Sequence, residues 1–98
     1  MIEIRQTEIF ADWIARLRDQ RARDRILTRI DRLSMGNLGD AKTVGVAVSE
    51  MRINYGPGYR VYFTRRGSTI VLLLCGGDKR TQDRDIAMAL KLAREYRE

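Results

Sequence analysis

Two short alternating segments joined by Gly56-Pro57-Gly58 set the strongest limit on what this chain can become. In VSEMRINY, residues 48–55, Met51, Ile53 and Tyr55 share one side, and Glu50, Arg52 and Asn54 share the other. In YRVYFTR, residues 59–65, Tyr59, Val61 and Phe63 oppose Arg60, Tyr62 and Thr64. A period of two belongs to strands with one buried face, and the glycines supply the positive φ that a three-residue hairpin loop needs. Pairing Tyr55 with Tyr59 sets Ile53 against Val61 and Met51 against Phe63. On the other face Asn54 then meets Arg60, and Arg52 meets Tyr62. Pattern and register agree, because a slip of one residue would turn the whole apolar set toward solvent.

The remaining elements follow from periodicity and end signals. Residues 1–5 alternate and read as a short strand. Thr7 is a helix N-cap with Glu8 in the first turn, where the helix dipole favours an acid. Ile9, Phe10, Trp13, Ile14 and Leu17 form one helical stripe, and Ala22, Ile26, Leu27, Ile30 and Leu33 form a second. The two read as a helical hairpin, with a single bent helix as the alternative. Residues 34–47 hold three glycines and no sustained period, the signature of a loop. Turning at Arg66-Gly67, with Arg65 opposite Ser68, brings Ile70 and Leu72 to the core face and Val71 and Leu73 beside Arg60. The apolar strand 69–75 is central, and Thr81 caps a last helix with Asp83 and Asp85 in its first turn. The order βααβββα predicts one α+β domain over residues 1–98: a small antiparallel-rich sheet, two N-terminal helices on one face and a C-terminal helix, with the helices on one sheet side.

Composition narrows the function. With 98 residues there is room for one core. No apolar run approaches the eighteen or so residues of a membrane span, and the N-terminus lacks the pattern of a secretory signal, so a cytoplasmic protein is expected. There is no histidine and one cysteine, Cys75, so neither a zinc site nor an activated thiol is expected, and no metal or cofactor is assigned. The net charge of +6 favours an anionic partner, nucleic acid foremost. Residues 1–33 carry eight cations and six anions, a mostly balanced helix surface. Between residues 41 and 66 the one acid is Glu50, against Lys42, Arg52, Arg60, Arg65 and Arg66, so the uncompensated charge lies in the strands.

On the sheet face away from the helices the predicted register gathers Arg52, Asn54, Arg60 and Tyr62, with Lys79 after the next strand. Cations on neighbouring strands repel, so stability alone does not account for them. They suit a phosphate cradle, in which Arg52, Arg60 and Lys79 meet the charge and Gly76 and Gly77 admit close backbone approach. Tyr55, Tyr59 and Tyr62 offer surfaces for stacking bases. The competing reading is a solvated face whose arginine stems cover apolar neighbours. Gly76-Gly77-Asp78-Lys79 lacks the spacing of a nucleotide-binding P-loop. The second helix carries Arg21, Arg23, Arg25, Arg29 and Arg32 among Asp24 and Asp31, by default a solvated face.

The stretches SEMRINYGPGYRVYF and IVLLLCGGDKRTQDRDIAMAL, with FADWIARLRDQRARDRI and RLSMGNLGD before them, resemble the RelE/ParE superfamily of bacterial toxins, specifically its HigB-like subgroup of addiction module killer proteins. The resemblance extends over essentially the whole chain. It implies a toxin of a type II toxin-antitoxin module, a ribosome-dependent mRNA endonuclease that inhibits translation. It also implies a cognate antitoxin from the adjacent gene, a HigA-like helix-turn-helix protein. By position, Arg60 resembles the strand arginine that contacts the scissile phosphate, Lys79 the basic residue after the last strand, and Arg52 the basic contribution of the preceding strand. Asn54, Tyr55, Tyr59, Tyr62, Arg80 and Gln82 are expected to contact RNA. Asn54 stands where a lysine occurs in RelE-type sites, and Tyr96 lies late in the last helix. Lys79 is the first candidate base, with Glu50 and Asp78 as alternatives. The same scaffold also serves ParE-type inhibitors of DNA gyrase, and a non-catalytic co-repressor that only binds antitoxin is the third reading.

Overall fold

A computed structural model of the protein describes residues 2–96. Strand β1, Glu3–Gln6, leads to Thr7, whose hydroxyl accepts the Phe10 N–H at 3.0 Å and caps helix α1, Glu8–Arg16. The same hydroxyl donates to the Leu74 carbonyl, so this buried cap also fastens the helix to the sheet. A short link ends at Asp19, whose carboxylate accepts from the Arg21 and Ala22 amides and caps helix α2, Gln20–Ser34. The two stripes are thus separate helices, each with its own N-cap.

Four strands follow: β2, Ala41–Gly45; β3, Val48–Ile53; β4, Tyr59–Arg66; and β5, Ile70–Asp78. A 3-10 turn at Lys79–Thr81 precedes helix α3, Gln82–Glu95. The sheet order is β1-β5-β4-β3-β2, with β1 parallel to β5 and every other neighbour antiparallel. The α+β class is as predicted, but the order is βααββββα, because part of the expected loop forms β2. An edge strand partly open on both sides needs no alternation, and its Gly45 is a packing residue: a Cβ there would meet the Leu90 side chain at 2.6 Å.

The sheet is covered on both faces. Phe10, Ile26 and Leu33 from α1 and α2 pack with Met51, Ile53, Val61, Phe63, Val71 and Leu73. On the opposite face Val48, Tyr62, Leu72, Leu74 and Cys75 pack with Ala89 and Leu92 of α3. The C-terminal helix therefore does not join the other two on one side, and it covers part of the face expected to be open.

Both predicted registers shift. The first hairpin pairs Ile53 with Tyr59, Met51 with Val61 and Glu50 with Tyr62, which places Arg52 directly opposite Arg60. The displacement is two residues, so the faces survive. Its cause lies outside the hairpin: the Tyr55 hydroxyl donates to Asp19 at 3.0 Å and its ring lies under Arg25, which draws Tyr55 from the ladder toward α2. Gly56 and Gly58, both at positive φ, close the longer loop. The second hairpin pairs Arg66 with Ile70 and Phe63 with Leu73, an odd displacement that reverses the faces of β5. Val71 and Leu73 face α1 and α2, whereas Leu72 lies under α3.

Leu74 is then an extra residue in the ladder, since Phe63 pairs with Leu73 and Tyr62 with Cys75. This bulge resets the phase of β5. Beyond it Gly76 lies beneath the Trp13 indole and Gly77 beneath the Asp85 carboxylate, each so closely that a Cβ would overlap the group above. The expected close approach at these glycines is therefore made by the protein's own side chains. A Gly76→Ala protein should lose about 1–3 kcal/mol through overpacking against Trp13, read as a lower urea midpoint with an unchanged slope.

Candidate functional site

Where α3 stops covering its face of the sheet, an open depression of about 330 Å³ remains. Asp40, Arg52, Ile53, Asn54, Gly58, Tyr59, Arg60 and Lys79 line it. Five of the residues expected at a site, Arg52, Asn54, Tyr59, Arg60 and Lys79, thus meet in one place. Asp40 was not anticipated. It lies just ahead of β2, a strand the sequence pattern did not reveal, and pairs with Arg52 at 3.0 Å.

The facing arginines are held differently. Arg52 is exposed, and its pair with the exposed Asp40 contributes little beyond orientation. Arg60 has a side chain only 10% accessible. Its Nη1 donates to the Gly58 carbonyl at 2.9 Å, and its Nε lies 3.5 Å from Glu50 Oε2 without a formal hydrogen bond. Its guanidinium is therefore fixed at the depression's wall before any ligand arrives.

Glu50 lies underneath, fully buried. Its Oε2 accepts from the Tyr62 hydroxyl at 3.1 Å and from Gln82 Nε2 at 2.9 Å, while Oε1 has no partner. Burial first, then the Glu50 charge, raise the Tyr62 hydroxyl far above the usual phenol range, so it remains protonated and donates. Glu50 does not reach the depression as a base. Tyr62 is completely buried, with no ring face left for a base to stack on, and Gln82 turns inward to Glu50. These three form the support beneath Arg60.

Of the other expected residues, Tyr55, Asp78 and Arg80 do not line the depression. Tyr55 bonds Asp19 on the side of α2. Asp78 accepts from the Arg80 backbone and side chain, and chiefly that side-chain bond holds its carboxyl below the usual range, which makes it a poor proton acceptor. Arg80 is thereby tied to Asp78, on the flank of the depression. Lys79 is exposed and lines the depression. Thr81 donates to the Asp85 carboxylate instead of capping α3. Cys75 is buried as expected, and burial, with the Asp85 charge, pushes its thiol up to about 12.

The two arginines should separate cleanly in stability measurements. Arg60→Ala removes the cation beside a buried carboxylate and should cost about 3–5 kcal/mol, whereas Arg52→Ala should cost no more than about 1 kcal/mol in denaturant titrations. Tyr62→Phe, which takes a donor from Glu50, should fall between them at about 1–3 kcal/mol. Cys75, protonated throughout the neutral range, should resist a thiol reagent at pH 8 in the folded protein and react on unfolding, which mass spectrometry would follow.

Among the described residues no helix is long and apolar enough to cross a membrane. No family model matches the chain. An uncharacterized protein of Haemophilus influenzae is 48% identical over 94 residues, which cover 96% of this chain and 95% of that protein. Likeness at that level over nearly the full length of both chains is common descent, and this chain belongs to the same family as the Haemophilus influenzae protein.

Proposed function

We propose that the protein is a small endoribonuclease toxin of the RelE/ParE kind, HigB-like, which cuts mRNA on translating ribosomes in the cytoplasm. A HigA-like helix-turn-helix antitoxin from the adjacent gene holds it in check. The observation that carries this reading is the convergence of Arg52, Arg60 and Lys79 on one open depression that has Asp40 as its acidic wall. A phosphodiester fits that arrangement: Arg60 offers a guanidinium already in position, and the weakly held Arg52 can exchange Asp40 for phosphate.

The chemistry is transfer within the RNA. The 2′-oxygen attacks the adjacent phosphorus, the bond to the 5′-oxygen breaks, one proton leaves the 2′-hydroxyl and one arrives on the departing oxygen. Arg52, Arg60 and Lys79 stabilise the charge that builds on the phosphoryl oxygens. Asn54 and Tyr59, on the same walls, orient the nucleotide. Glu50 is sealed under Arg60 and Asp78 is held by Arg80, so the site is richer in charge stabilisation than in proton acceptors. Catalysis then rests on in-line positioning, which a ribosome holding the mRNA supplies.

Primer extension on a defined mRNA, with and without translating ribosomes, tests the reading. Cuts are expected only with ribosomes. Arg52→Ala and Lys79→Ala should each reduce them at least tenfold while the protein stays folded, and Arg60→Lys, which keeps the charge but loses the fork, should do the same. A folded wild-type protein that stops growth without cutting mRNA would overturn the proposal in favour of a gyrase target. One that neither cuts nor stops growth would indicate a co-repressor.

A further inference from the structure

The depression around Arg60 shares part of its wall with another. A second hollow of about 370 Å³ runs along α2, lined by Asp24, Arg25, Thr28, Arg29 and Arg32 together with Ile53 and Asn54. Ile53 and Asn54 also line the first, so the two hollows share a wall at the end of β3. Their joined walls carry six cations, Arg25, Arg29, Arg32, Arg52, Arg60 and Lys79, against two acids, Asp24 and Asp40.

The helical arginines are spaced to face one way, at i, i+4 and i+7. They are not equivalent. Arg29 is spent on structure: Nη1 donates to the Arg52 carbonyl, and Nη2 lies 3.4 Å from the carbonyls of Leu38 and Asp40, which ties α2 to the strand ends at the seam between the hollows. Arg25 is exposed and rests over the Tyr55 ring, its guanidinium carbon 4.8 Å from the ring centre, which orients it without neutralising it. Arg32 is exposed, and its side chain has no hydrogen-bond or ion-pair partner among the described residues. Two uncompensated cations about 10 Å apart along the helix, in a hollow that shares a wall with a phosphate-sized site, match the repeating charge of a nucleic-acid backbone.

We propose that a single strand of RNA leaving the Arg60 depression passes over Asn54 and along α2, where Arg25 and Arg32 each take a backbone phosphate. This rests on the reading of the depression as an RNA site and extends it: α2 binds the flanking nucleotides without regard to sequence and takes no part in the chemistry.

Fluorescence anisotropy with labelled 2′-O-methyl oligouridylates, three and twelve nucleotides long, tests it, since these ligands cannot be cut by their own 2′-oxygen. Affinity is measured against salt for the wild type, for Arg25→Gln/Arg32→Gln, for Arg52→Gln/Lys79→Gln, and for Lys91→Gln/Arg94→Gln, which removes the same charge from α3. The α2 variant should flatten the logarithmic salt slope for the twelve-mer by about 1.4, or about 0.7 per lost phosphate contact. It should leave the trimer unaffected, and the α3 variant should match the wild type. An α2 variant that binds the twelve-mer like the wild type, or no worse than the α3 variant does, overturns the track. If the Arg52/Lys79 variant still weakens the trimer in that case, the depression stands as the RNA site. Should that variant bind both ligands like the wild type, the depression itself fails as an RNA site, and the track with it.

Discussion

A carboxylate withdrawn from water has to be met by donors and positive charge, and Glu50 draws on three side chains from β4 and α3 for them. Tyr62 comes from β4 two residues along from Arg60, Gln82 from the first turn of α3, and the Arg60 guanidinium supplies the charge. Oε1 and Arg60 Nε have no hydrogen bonds of their own, so the compensation rests heavily on the attraction between the two groups. That attraction permits Arg60 to stand opposite Arg52, where two cations on adjacent strands would otherwise push each other away. The geometry of the depression is set from below, by a charge that never touches what binds in it.

A second set of contacts places the helices around that centre. Trp13 of α1 closes on Gly76 and meets the edge of Tyr59, with ring centres 6.3 Å apart, so the wall of the depression is braced from the far side of the sheet. Asp85 of α3 closes on Gly77 and accepts from Thr81. The two glycines therefore admit one helix on each face at successive positions. Lys79 follows directly, at the start of the 3-10 turn, and its approach to Arg60 depends on both helices being seated.

Much of this was legible in the residues, and the failures have a common origin. Alternation in β3 and β4 gave the correct faces because it reports burial, which is local in sequence. It could not give the register, because the partner that draws Tyr55 out of line is Asp19, thirty-six residues earlier. The apolar run of β5 carries no phase at all, since a strand covered on both faces is hydrophobic throughout, and the turn before it predicts the reverse of the observed orientation. Strand β2 was hidden by Gly45, which reads as a loop residue and is in fact shaped by Leu90. Among the site residues, Arg52 and Arg60 stand out by the scarcity of acids between residues 41 and 66, and Lys79 by its place after the last strand. The burial of Tyr62, Gln82 and Glu50 follows from where α3 lands, which no local pattern encodes.

The extra residue at Leu74 divides β5 into two halves that obey opposite parity. Before it, side chains at odd positions face α1 and α2; after it, those at even positions do. Side chains within either half can drift by substitution, but one further residue inserted between Leu74 and Gly76 would exchange the faces of the two glycines, bringing each under the wrong helix. It would also turn Lys79 away from Arg60. Changes of length in this strand are consequently far more restricted than changes of composition. Insertions among descendants of this fold belong in the loops, where they leave the parity of β5 intact.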